Sequence, residues 1–99
     1  METNFFHIKT SKGEGHVYVR DGSGEICVEG SIPDGTYDEV KTRLGLGRQP
    51  LFSGYRCDDG TTLIDLRVPR DMYPFDQTVT VRTVTKMLGK RWSESLIKS

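Results

Sequence analysis

Thr36–Leu44 (TYDEVKTRL) reads as a helix set among strands, and that contrast decides the fold. Tyr37, Val40 and Leu44 fall at i, i+3 and i+7 and form one apolar stripe, leaving Asp38, Glu39, Lys41 and Arg43 for solvent. Pro33-Asp34-Gly35 is a turn signal just before it. Thr36 and Glu39 stand at the spacing of a capping box, which satisfies the free amides of a helix start. Acidic residues come first and basic residues last, in keeping with the helix dipole. Gly45 and Gly47 supply the stop, so the helix has about two and a half turns.

On the N-terminal side, His16–Arg20 (HVYVR) alternates, with Val17 and Val19 on one face and His16, Tyr18 and Arg20 on the other. Asp21-Gly22-Ser23-Gly24 reverses the chain. Ile26, Val28 and Ile32 then resume the alternation with Cys27 and Glu29 opposite, which makes a β-hairpin. Phe5, Phe6 and Ile8 form either an added edge strand or a free apolar motif, and burial against the chain's own sheet is the preferred expectation. On the C-terminal side, Gln49–Phe52 is strand-like, Gly54 marks a turn or a close backbone approach, and Arg56-Cys57 is extended. Asp58-Asp59-Gly60 turns. Thr61–Val68 reads as a loop or single helical turn that plugs the core edge through Leu63, Leu66 and Val68. Thr78–Val84 (TVTVRTV) carries the densest β-branched alternation and reads as the last strand. Strands around one helix with one apolar stripe imply an α+β layer fold, a sheet with the helix laid across one face.

The chain has 99 residues, enough for one domain and one small core, since 34% are hydrophobic and 28% charged. Fourteen basic and fourteen acidic side chains cancel, so no net field draws a polyanion, and no nucleic-acid partner is expected. No apolar run approaches the roughly 18 residues of a membrane span, and Met1–Lys9 lacks a secretory pattern. Two cysteines without a CxxC pair argue for reduced thiols, and the expected location is the cytoplasm or nucleus. His7, His16, Cys27 and Cys57 are scattered singly, so no metal site or other cofactor is expected. No catalytic constellation stands out. Both histidines precede or lie in the first hairpin, Asp58-Asp59 before a glycine reads as a turn, and Gly22-Ser23-Gly24 lacks the tail of a phosphate loop. The chain is expected not to be an enzyme.

Four segments in order, TYDEVKTRL (Thr36–Leu44), LFSG (Leu51–Gly54), DGTTLIDL (Asp59–Leu66) and TVTV (Thr78–Val81), resemble the helix, central strand, turn and last strand of ubiquitin-like domains. The resemblance implies the β-grasp fold, a mixed sheet gripping one helix, over residues 15–84. Residues 1–14 then form an N-terminal extension and residues 85–99 a C-terminal tail. The link from Val40 to Phe52 is shorter, and Arg70–Gln77 longer, than the family's equivalents.

Ubiquitin-like domains are read through the exposed sheet face by three apolar contacts. The resemblance keeps the first at Leu51, replaces the last-strand contact by Arg82, and puts the hairpin contact among Gly22-Ser23. Gln49, Leu51, Gly54, Tyr55, Thr80 and Arg82 are therefore the expected partner-binding residues, a mixed polar, aromatic and cationic face suited to a dedicated protein partner of a monomeric module. Modifiers of this family end in a glycine that is joined to lysine. Gly89 is the only glycine after the last expected strand, so it is either a candidate maturation site or a linker glycine. Leu88, Trp92 and Leu96 recur every fourth residue and favour a short amphipathic helix docking on the domain or on a partner.

Overall fold

The computed structural model describes residues 3–45, 52–72 and 77–98. The chain folds as α+β. Strands β1 (Thr3–Thr10), β2 (Gly13–Asp21) and β3 (Glu25–Pro33) form a meander, helix α1 (Tyr37–Leu44) follows, and β4 (Phe52–Arg56) and β5 (Thr61–Pro69) form a second hairpin. A two-residue pair, β6 (Asp71–Met72) and β7 (Gln77–Thr78), precedes helix α2 (Val81–Lys98). The main sheet has the order β1-β2-β3-β5-β4 and is antiparallel at every pairing.

Alternation sorts the two faces of this sheet. Ile8, Val17, Val19, Ile26, Val28, Ile32, Ile64, Leu66 and Val68 point inward and join Val40 and Leu44 of α1 and Val81, Val84, Leu88 and Trp92 of α2 in one buried cluster. Residues from both end segments, Ile8 and Trp92, share that core with the hairpin. Ile8 is buried and Phe6 packs on the core, so the N-terminal segment is an edge strand of the chain's own sheet.

Three elements differ from expectation. The sheet is antiparallel rather than mixed, and two helices rather than one cover it. Thr61–Val68 is neither loop nor helical turn. It is the sheet's fourth strand, paired with β3 over Glu25↔Pro69 to Pro33↔Thr61 and with β4 on its other side. Thr62, Ile64, Leu66 and Val68 face inward while Leu63 faces out, a period of two that the adjacent Asp-Gly turn obscured. Finally, the last strand expected over Thr78–Val84 is only the end of β7, and α2 begins at Val81. β5 already occupies the place between β3 and β4. The remaining inner surface of β1 and β2 needs an apolar stripe, and Val81, Val84, Leu88 and Trp92 supply one at helical spacing.

The α1 start also departs from the capping box. Thr36 makes no side-chain cap; its hydroxyl donates to the carbonyl of Pro33 at 2.5 Å. Glu39 turns away to the β1–β2 turn, where its carboxylate accepts from the Ser11 amide at 3.1 Å and hydroxyl at 3.0 Å. Two donors at that turn outcompete one at the helix start. Gly45 ends α1 in extended backbone, and its carbonyl accepts from Arg91 of α2.

Candidate functional site

Both helices lie on one side of the sheet, so among the described residues the other side is open. Cross-strand register fixes what it displays. One row runs His7, His16, Ser31, Leu63 and Tyr55 from β1 to β4, and the next runs Phe5, Tyr18, Glu29, Asp65 and Ser53. At about 4.8 Å per strand the face is roughly 19 Å across. Tyr55 is 70% exposed, Phe5 60%, Leu63 47% and Tyr18 43%, although large apolar side chains are the residues a sheet normally hides.

The aromatic end is organised. Phe5 meets Tyr18 at 5.9 Å and His7 at 6.0 Å between ring centroids, and His16 meets Tyr18 edge-on at 5.0 Å. Charged residues of the same face pair among themselves. Arg20 donates to Glu29 at 2.6 Å, and Arg67 donates to Glu25 at 2.9 Å and lies 3.5 Å from Asp65. Donating to Glu29 raises the pKa of Arg20, and donating to Glu25 raises that of Arg67, so both stay cationic. Cys27 is buried between these arginines in the register, with the backbone of Gly22 folded over its sulfur, which leaves it a packed thiol. Cys57 is half-buried after β4.

The described members of the expected partner-binding set, Gly54, Tyr55, Thr80 and Arg82, do not share one face. Gln49 and Leu51 lie outside the described residues. Tyr55 is on the open face, but Gly54 beside it turns inward, where a Cβ would come within 2.5 Å of the Tyr37 ring. Thr80 caps α2, its hydroxyl accepting from the Thr83 amide at 3.2 Å, and Arg82 is exposed on the first turn of α2. Both therefore belong to the helical layer, not to the sheet face. Gly89 lies inside α2 between buried Leu88 and, three residues on, buried Trp92, rather than in a free tail. The helix expected from Leu88, Trp92 and Leu96 is present, and Leu88 and Trp92 dock it on the domain.

Phe5, Tyr18 and Leu63 were missed. Tyr18 was legible as the outward residue of HVYVR, whereas Leu63 was hidden by the loop reading of its strand, and Phe5 by the uncertain place of the N-terminal segment. Among the described residues no group of three or more His, Cys, Asp or Glu side chains could hold a metal ion, and no helix is long and apolar enough to cross a membrane. No protein-family model matches the chain, and neither the curated proteins nor the solved structures contain a match to it.

Proposed function

We propose that the chain is a non-conjugated protein-interaction module that binds a dedicated protein partner through the open face of its sheet, without cofactor or catalysis. The observation that carries this reading is the exposed display of Phe5, Tyr18, Leu63 and Tyr55 on one face while Ile8, Val17, Val19, Ile64, Leu66 and Val68 of the same strands point inward. Aromatic side chains give a partner large area at little entropic cost, and the internally paired Arg20–Glu29 and Arg67–Glu25 border them with polarity that needs no partner to neutralise it.

This function does not depend on kinship with ubiquitin-like domains. Hairpin, helix and strand pair in that order speak for the kinship; the all-antiparallel sheet and a helix in place of the last strand speak against it. Conjugation through Gly89 has no support in its surroundings, because cleavage there would remove Trp92 from the core.

The test is a cross-linking capture with the wild-type chain and with Tyr55→Ser, Leu63→Ser and Tyr18→Ser. A cross-linked partner common to replicate captures should be lost from at least two of these variants while thermal stability stays nearly unchanged. A partner retained by all three variants would refute the open-face assignment.

A further inference from the structure

The outer edge of β1 offers a second, chemically different surface. β1 pairs with β2 from Thr3↔Arg20 to Thr10↔Gly13 without a bulge, and among the described residues no strand lies on its other side. It contains no proline, so its outward backbone donors and acceptors are available for a further ladder. α2 runs alongside it in the same direction. Asn4 near the start of β1 donates to Thr85 at 3.4 Å, and His7–Lys9 near its end share a cavity of about 300 Å³ with Glu14, Trp92 and Ser93. Trp92 is 3% exposed, and its buried indole N–H has no acceptor among the described residues.

Charge narrows the occupant. Since Thr85 touches β1 and Ser93 lines the cavity, at about 3.6 residues per turn Arg82, Lys86 and Gly89 fall on the same flank of α2. Arg82 and Lys86 are exposed, and a Cβ on Gly89 would meet nothing within 4 Å. Neither Thr3–Thr10 nor residues 81–93 contain an acidic residue, and among the described residues Glu14 is the one carboxylate lining the cavity.

We infer that the groove between the β1 edge and α2 accepts an acidic peptide in extended conformation, added as a sixth strand beside β1 with one side chain in the Trp92 cavity. The backbone ladder supplies affinity, and Arg82, Lys86 and Lys9 select carboxylates on the incoming strand. This surface adjoins the open face at His7 but rests on the β1 backbone edge and α2, and Tyr55 on β4, at the opposite edge of the sheet, tells the two apart.

The experiment uses the full chain and fluorescein-labelled twelve-residue peptides: one of alternating Val and Asp, its Val/Lys counterpart, and the Val/Asp peptide with N-methylated backbone. Anisotropy reports binding, and the single tryptophan, Trp92, reports occupancy of the cavity. The Val/Asp peptide should bind and shift the Trp92 emission. Arg82→Glu combined with Lys86→Glu, both on the exposed helix surface, should weaken it severalfold, and Tyr55→Ser should leave it unchanged. No binding of the Val/Asp peptide, equal binding of the Val/Lys or N-methylated peptide, or loss of binding on Tyr55→Ser would overturn the proposal. So would sedimentation showing that β1 is already occupied by a second copy of the chain.

Discussion

The guanidinium carbon of Arg43 lies 4.7 Å from the centre of the Trp92 ring, joining the two helices over the inner face of the sheet. Arg43 also approaches Glu39 at 3.6 Å, one turn earlier on α1, and its Nη1 is buried without an acceptor among the described residues. The contact thus has more of the character of a desolvated cation–aromatic pair than of a surface ion pair. Arg43→Ala should lower unfolding free energy by about 1–2 kcal/mol and alter Trp92 emission in the folded state. Urea denaturation followed by tryptophan fluorescence reads both effects. An unchanged midpoint and spectrum would show that the helices are held together by the apolar stripe alone.

Gly54 belongs to the core side of β4. The Tyr37 ring lies against its backbone, held there by a hydroxyl that donates to the Phe52 carbonyl at 3.0 Å and by an edge-on contact with Phe52 at 5.4 Å. A methyl group has no room unless Tyr37 moves, so Gly54→Ala should destabilise by about 1–3 kcal/mol. Thermal unfolding checks the magnitude, and a Tyr37→Ala background, which removes the obstructing ring, should shrink the penalty.

Thr80 should matter to stability rather than to recognition on the open face. It caps the first turn of α2, so Thr80→Ala should cost about 1 kcal/mol. Thr80→Asn, which can cap as well, should restore most of the loss. Circular dichroism during chemical unfolding distinguishes these outcomes.

Asp59 contributes stability with a defined pH sense. Its carboxylate accepts from the Thr61 hydroxyl at 2.5 Å and from the Thr61 amide at 3.1 Å, and these bonds, the hydroxyl's first, hold its pKa below the ordinary 3.8. A folded-state pKa below the unfolded one means that the contribution is complete above pH 3.8 and is lost as pH falls through the depressed value. Asp59→Ala should therefore be less stable than wild type near neutrality, with the difference closing in acid. A difference that persisted below the folded-state pKa would assign the effect to turn geometry instead.

Much of the fold was legible where the signal is local. HVYVR, the Gly-rich reversal and Ile26–Ile32 specify a hairpin because alternation and turn chemistry act over a few residues. Tyr37, Val40 and Leu44 specify α1 by the same logic, and Leu88 with Trp92 specified a helix near the C-terminus. Thr78–Val84 misled because β-branched residues favour strands only where a strand partner exists. Thr61–Val68 misled because a strong turn beside a strand draws attention to the turn. Of the expected site residues that are described, Tyr55 alone stands on the open face.

The order of apolar and polar residues by itself determined one α+β domain, its first hairpin and its first helix, since each depends on neighbours close in the chain. Tertiary structure alone decided that β5 takes the place between β3 and β4, that the C-terminal valines become a helix, and that Phe5, Tyr18, Leu63 and Tyr55 share an uncovered face. Those outcomes depend on which edge and which apolar stripe remain unpaired after the rest of the chain has packed, a competition among residues dozens of positions apart.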